Sequence, residues 1–406
     1  MPTVNWEKAL LRDNPFAGTP PKPGEEIIWA GMASQKKLIE DRIALSLSTS
    51  PYSLVLNWGP WGGGKTHAAR YFNQDENLTA LSRRAKTGKP LSMVINIPRG
   101  SKNVVKDLYI GLISNIGLKR IKDDISKVAI ALGDRFAETV RAYSGDEELA
   151  LAMELLAEAK PGSRVKTEAT KNSELALSLK RYFFLSAGTP ELRELGLGRK
   201  MESSNDLIKV LTSIFNLLLH SGKDDPPYSE VIIWFDEMEE ILSLPGKEQV
   251  VLTGLLRDLT DSVPSNLTMF LNFTGRAGGK VEDIGAYLSP AVWDRVRDQI
   301  FFDFLTEDQV REYIVEMLNH PKYRPSEPKA PSEYFPFDRG GVDYVSHELM
   351  AKATPRAINE VCSLVIERAL TTGILDRRDG VISATVLEGM NEQIKSITSK
   401  GAVSPR

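Results

Sequence analysis

The chain has 406 residues, 42% of them hydrophobic and 26% charged, which is ample material for two or three packed units of a soluble globular protein. Its formal net charge of −3 means that nucleic-acid binding, if any, has to rest on local basic surface. Cys362 is the one cysteine, which excludes an intrachain disulfide and points to a reducing cytoplasmic compartment.

In chain order, residues 1–33 read as an irregular N-terminal arm through Asn14-Pro15-Phe16 and the proline-rich Thr19 to Pro23. Met1 to Trp6 does not have the composition of a signal peptide. A helix follows over about Ser34 to Leu47, with Leu38, Ile39, Ile43, Leu45 and Leu47 on a broadly helical spacing, and Ser48 to Pro51 ends it. Ser53 to Trp58 reads as a strand. Gly59 to Thr66 is Gly-Pro-Trp-Gly-Gly-Gly-Lys-Thr, a complete G-x-x-x-x-G-K-[ST] loop between that strand and a helix over Thr66 to Phe72. Gly59, Gly62, Gly63 and Gly64 permit a tight turn in which backbone N–H groups converge on phosphate oxygens at a helix N-terminus. In this chemistry Lys65 reaches the β- and γ-phosphates and the Thr66 hydroxyl sits on Mg2+. The loop therefore implies ATP and Mg2+ as cofactors.

Arg83, Arg84, Lys86 and Lys89 read as a basic loop before a second strand, Leu91 to Ile97, which Pro98 closes. Residues 101–226 are almost wholly helical in pattern, with a polar linker at Pro161 to Arg164. Lys119, Arg120 and Lys122 form a second basic stretch there. Lysine and arginine are mostly solvated in any protein, but repeated in a ring or filament such patches track a phosphate backbone without reading bases. Tyr182 to Phe184 and Leu211 to Leu219 are expected to be core of this insertion. Val231 to Phe235 is an apolar run ending in Asp236 and Glu237, as in a buried parallel strand whose carboxyl end opens onto a ligand crevice. Asp236 there holds Mg2+ through water, and Glu237 orients and polarises the attacking water. A helix at 248–260, a fourth strand at Leu267 to Phe273 and a fifth at Gln299 to Phe304 complete the core. Five strands separated by helices imply a parallel sheet covered on both faces. His67 and His220 lack metal-ligand spacing to other ligands, and Cys362, beside Val361, Leu364 and Val365, sits on an apolar helix face. No segment approaches the roughly 18 apolar residues of a membrane helix, so no membrane partner is expected.

The order of these landmarks resembles the AAA+ ATPases. Thr274 stands where that family places its sensor-1 polar residue, with Asn272 the alternative. Leu288 to Arg297 looks like its arginine-finger segment, with Arg295 aligning best, and Ala353 to Asn359 opens a helix as the sensor-2 arginine motif does, with Arg356 in the sensing position. The resemblance implies a three-layer αβα P-loop fold with a five-stranded parallel sheet. It divides the chain into a core over 34–305 carrying the helical insertion, a helical lid over 306–398 and a tail over 399–406. It implies an ATP hydrolase, a homo-oligomer whose finger acts in trans, and a nuclease, transposase or helicase as partner. Within the family, Thr354 to Leu370 and Val381 to Leu387 look most like the initiator and helicase-loader clade. The helical stretch and Asp236 to Leu242 also resemble ATPases of mobile elements and BREX-type defence. Initiators usually continue into a winged-helix domain, and the stretch after the Leu370 helix is too short for one. The basic residue usual on the adenine side is absent around Trp29 to Met32. The competing expectation is a signalling or protein-remodelling switch without DNA contact, in which the insertion docks a protein.

Overall fold

A computed structural model describes residues 4–18, 25–49, 52–158, 168–220, 226–263, 265–275, 280–377 and 379–400. The Thr19 to Pro23 segment, the Pro161 to Arg164 linker and the tail beyond residue 400 lie outside them. Strands β1 (Ser53–Gly59), β2 (Leu91–Asn96), β3 (Val231–Asp236), β4 (Leu267–Thr274) and β5 (Val296–Phe301) form one parallel sheet in the order β2-β3-β4-β1-β5. Side chains alternate between its faces, as the two-residue strand period requires. Leu54, Leu56, Met93, Ile233 and Leu271 point to one core, while Val55, Ile232, Trp234 and Phe270 point to the other. β1, β3 and β4 are near-continuous apolar runs because they are buried on both faces.

The fifth strand lies three residues earlier than its apolar run suggests. It starts at Val296, passes through Arg297, Asp298 and Gln299, and ends at Phe301. β5 pairs with β1 alone and is half-exposed, so polar side chains are tolerated along it. The apolar stretch that suggested a strand is instead partly the link to the lid.

On the Trp234 face lie α1 (Ala33–Thr49), α2 (Lys65–Phe72) and α3 (Asp75–Ala85). Trp234 is fully buried with its ring stacked 3.9 Å from Phe270, and Phe72 of α2 lies 6.2 Å away in a near-parallel plane. Such aromatic contacts add about 1 kcal/mol each beyond buried area, and they hold α2 against the sheet. Removing the indole by Trp234→Ala is expected to cost about 3–5 kcal/mol.

The insertion runs through α4 (Val104–Ile116), α5 (Leu118–Leu132), α6 (Phe136–Ser144), α7 (Glu147–Glu158), α8 (Glu168–Phe183), α9 (Thr189–Leu195) and α10 (Ser204–His220). α4, α10 and α11 (Gly246–Ser262) cover the second face of the sheet, while α5 to α9 stack outward on them. Phe183, Phe215 and Leu217 are buried in that core, where the sequence pattern put them. Short α12 (Val281–Gly285) and α13 (Pro290–Trp293) lead into β5.

The lid comprises α14 (Glu307–Asn319), α15 (Arg339–Leu349), α16 (Pro355–Thr371), α17 (Ala384–Glu388) and α18 (Asn391–Lys400). The N-terminal arm packs on it. Ala9, Leu11 and Phe16 share its apolar core, Asn14 Nδ2 donates to Ser363 Oγ at 2.7 Å, and the half-buried Arg324 guanidinium donates to the Ala9, Leu10, Leu318 and Phe335 carbonyls. Cys362 is fully buried on α16, and burial raises its thiol pKa.

Candidate nucleotide site

β1 ends at Gly59, with φ of 150°, where an added Cβ would lie 2.2 Å from the Phe302 carbonyl oxygen. The linker into the lid runs directly against the loop there, so glycine is required. Gly62 and Gly64 also take positive φ, and the Gly63 N–H donates to the Pro60 carbonyl at 3.1 Å. α2 begins immediately after this turn, so its unpaired N-terminal N–H groups and dipole belong to the loop. Lys65 is 6% exposed, and its Nζ donates to the carbonyls of Gly59 and Pro60, each at 2.9 Å. Burial pulls the ammonium down to about 8, against the opposing pull of Glu239 and Asp236. Thr66 is exposed beside it.

Strand register brings the acids to this loop. Asn96 of β2 stands opposite Asp236, and Asn57 of β1 opposite Asn272 of β4. Asn57 Nδ2 donates to Asn272 Oδ1 at 2.9 Å; Asn272 Nδ2 donates to Asp236 Oδ1 at 3.0 Å and to the Lys65 carbonyl at 3.3 Å. Asp236, only 3% exposed, is thereby held beside the start of α2. A glycine-rich turn, a buried lysine and a strand-end aspartate are now in one place. The core is a P-loop NTPase fold.

Thr66 and Asp236 offer a hydroxyl and a carboxylate oxygen. That donor set suits Mg2+, which prefers oxygen and is usually held by one or two carboxylates together with substrate phosphates. Among the described residues no group of three or more His, Cys, Asp or Glu side chains forms a separate metal cage.

Glu237 follows with φ of 56° and ψ of 40°, a left-handed conformation uncommon for a non-glycine residue. Its Oε2 accepts from Asn96 Nδ2 at 3.1 Å. Burial first, then the neighbouring Asp236 and Glu239 charges, raise its pKa. Thr274 closes β4 opposite Gly59, and its N–H donates to Glu239 Oε2 at 3.0 Å. Of the two sensor-1 candidates, Asn272 touches Asp236 itself, whereas Thr274 lies two residues further toward the open end of the strand.

Arg356 comes from the lid. Thr354 caps α16 by accepting the Ala357 N–H at 3.2 Å, Pro355 occupies the first turn, and the Arg356 N–H donates to the Gly62 carbonyl at 3.4 Å. Its guanidinium lies 3.8 Å over the Trp61 ring, and its Nε donates to Glu360 Oε1 at 3.0 Å. Arg295 is elsewhere. It precedes β5, whose first residue pairs with Leu54 at the start of β1, so it sits at the end of the sheet opposite the phosphate loop. There it donates to Asp261 Oδ1 at 2.7 Å and to the Ala291 carbonyl at 2.6 Å.

The basic stretches also differ in part from their sequence reading. Arg83 and Arg84 belong to the last turn of α3; Arg84 faces Glu40 and Asp41 of α1, and Lys89 pairs with Asp75 at 2.9 Å. Lys119, Arg120 and Lys122 lie on α5, where Arg120 Nε donates to the Tyr228 hydroxyl at 2.7 Å. Lys86 and Lys89 lie in the connection between α3 and β2, so the loop reading holds for them, while Arg83 and Arg84 and the second stretch are helical.

Asn57, Asn96, Glu239 and Trp61 belong to the site and were not singled out by the sequence. The available signal was polarity in the wrong place: Asn57 and Asn272 each interrupt an apolar strand buried on both faces, which is costly unless the amides pair.

No protein-family model and no curated protein matches this sequence. Solved structures align with it over nearly its whole length. The Aeropyrum pernix Orc1 protein in complex with DNA is 14% identical, with 97% of this chain and 68% of that chain covered at a TM-score of 0.45. The Aeropyrum pernix Orc2 protein, as ADPNP–ADP complexes, is 13% identical, with coverage of 98% and 74% at 0.46. Cdc6p from Pyrobaculum aerophilum is 12% identical, with coverage of 89% and 67% at 0.46. In fold, the chain is similar to AAA+ ATPases of the Orc1/Cdc6 type.

Proposed function

We propose that this chain is an ATP-hydrolysing AAA+ switch. The observation that carries the reading is the chain of contacts from Lys65 through Asn272 to Asp236, with Glu237 next to it on the same strand end. Lys65 leaves the Gly59 and Pro60 carbonyls for the β- and γ-phosphates, while the loop N–H groups take their oxygens. Thr66 and Asp236 are the residues that would hold Mg2+, which supplies charge neutralisation across the phosphates. Glu237, released from Asn96, accepts a proton from the attacking water; its raised pKa brings it closer to the range useful for a general base. Thr274 positions that water. Arg356 senses the γ-phosphate from the lid, and Arg295 serves a neighbouring protomer's site, where a trans arginine stabilises transition-state charge.

The output in this reading is assembly on DNA, with recruitment of a partner such as a nuclease, transposase or helicase. Lys119 on α5 is exposed and Lys122 is part-exposed, and together they supply charge for backbone contact. A protein-docking output is favoured instead by Ile130 on α5 and Leu177 on α8, which are 70% and 48% exposed. Steady-state turnover measured with and without double-stranded DNA over a salt series separates the two. Stimulation that weakens with salt is expected; turnover indifferent to DNA at low salt overturns the DNA-directed output and leaves the ATPase reading standing.

A further inference from the structure

Trp61 occupies a variable position of the phosphate loop, is 42% exposed, and carries the Arg356 guanidinium 3.8 Å over its ring. The backbone of Arg356 has little freedom. Thr354 and Pro355 set the start of α16, the Arg356 N–H is on the Gly62 carbonyl, and a Cβ on Gly62 would come within 2.9 Å of the Arg356 Cβ. The lid is thus already seated on the loop, and the part of Arg356 left to move is its side chain. That side chain has one planar cation and two competing sets of partners. On Trp61 it has a π face below it and Glu360 on its Nε. On a γ-phosphate it would have charge-assisted hydrogen bonds in place of that stack.

We propose that Trp61 is a positioning residue that parks Arg356 at the rim of the phosphate loop, so that binding a triphosphate requires the arginine to exchange the indole for the γ-phosphate. The proposal rests on the reading of Arg356 as the γ-phosphate sensor. The parked state competes with ATP and leaves ADP alone, because ADP offers Arg356 no third phosphate. Trp61 therefore sets how sharply the site distinguishes the two nucleotides.

Calorimetric titration of a non-hydrolysable ATP analogue and of ADP, with Mg2+, into the full chain tests this. Trp61→Leu keeps apolar bulk without a π face and is expected to tighten the ATP analogue about three- to fivefold, with ADP changing less than twofold. Trp61→Phe, with a weaker π face, is expected to fall between. In an Arg356→Ala background the Trp61→Leu effect disappears. The difference in tryptophan emission between wild type and Trp61→Phe gives a second readout, expected to change on adding the ATP analogue and not ADP. Weaker analogue binding in Trp61→Leu, or equal shifts for both nucleotides, overturns the parking role alone. An ATP-to-ADP affinity ratio unmoved by Arg356→Ala overturns the sensor reading beneath it. Thermal melts of each variant separate these outcomes from loss of the fold.

Discussion

At the amino ends of the strands, charge meets charge. Arg42 pairs with Asp298 at 2.7 Å, Arg295 with Asp261 at 2.7 Å, and the fully buried Glu230 is held by Ser46 and Thr268 while burial pushes its carboxyl up to about 7. At the carboxyl ends the arrangement is different. Lys65 is buried on neutral carbonyls, Glu237 holds a left-handed backbone against a neutral amide, and Asp236, Glu237 and Glu239 crowd one strand end. The two ion pairs of the first end are matched internally and serve stability. The second end keeps a cation without an ion pair among the described residues, and carboxylates in a strained turn, as sites that act on a charged ligand do.

The largest expected break in this comparison is Lys65→Ala. It removes the loop's buried cation, and ATP affinity measured by calorimetry is expected to fall by at least about 100-fold, or roughly 3 kcal/mol. Near-wild-type affinity would sink the assignment of the loop. Glu237→Gln comes next. It keeps shape and the Asn96 contact but loses the basic carboxylate, so turnover is expected to fall about 10²- to 10⁴-fold with ATP binding retained. Normal turnover would demote Glu237 to a strand-end acid.

Arg295→Ala probes the opposite end. A purely structural pair at a part-exposed surface costs up to about 1 kcal/mol, seen as a small loss of thermal stability. The trans role adds a drop in turnover of about tenfold or more with ATP binding intact, and partial recovery on mixing with Lys65→Ala protein. Lower stability with unchanged turnover would confine Arg295 to its pair with Asp261, and Arg297→Ala is the milder control. A pH profile gives the smallest effect. Lys65 in the free protein titrates near 8 and bound phosphates raise that value, so affinity is full below about pH 8. Above it, binding must take up a proton, and affinity is expected to fall up to about tenfold per pH unit. A flat profile from pH 7 to 9.5 would mean that Lys65 is not the cation being titrated.

The phosphate loop was legible because its chemistry is local: spacing of glycines, one lysine and one threonine is a property of eight consecutive residues. The buried strands were legible for a similar reason, since burial on both faces demands apolar runs in β1, β3 and β4. β5 was displaced because an edge strand tolerates alternating Arg297, Asp298 and Gln299, which carry no apolar signal.

What tertiary structure decided is everything that depends on register and on contacts across hundreds of residues. Asn57, Asn96 and Asn272 become parts of the site because parallel pairing brings them level with Asp236. Trp61 meets Arg356 because the linker at Phe302 turns the lid back over the loop. Arg84 and Lys89, which read as free charge along the chain, find Glu40, Asp41 and Asp75 across neighbouring helices. A sequence states which groups exist and what each stretch prefers locally. Which charges end up neutralised, and which are left for a ligand, is settled by distances that arise once the sheet is assembled.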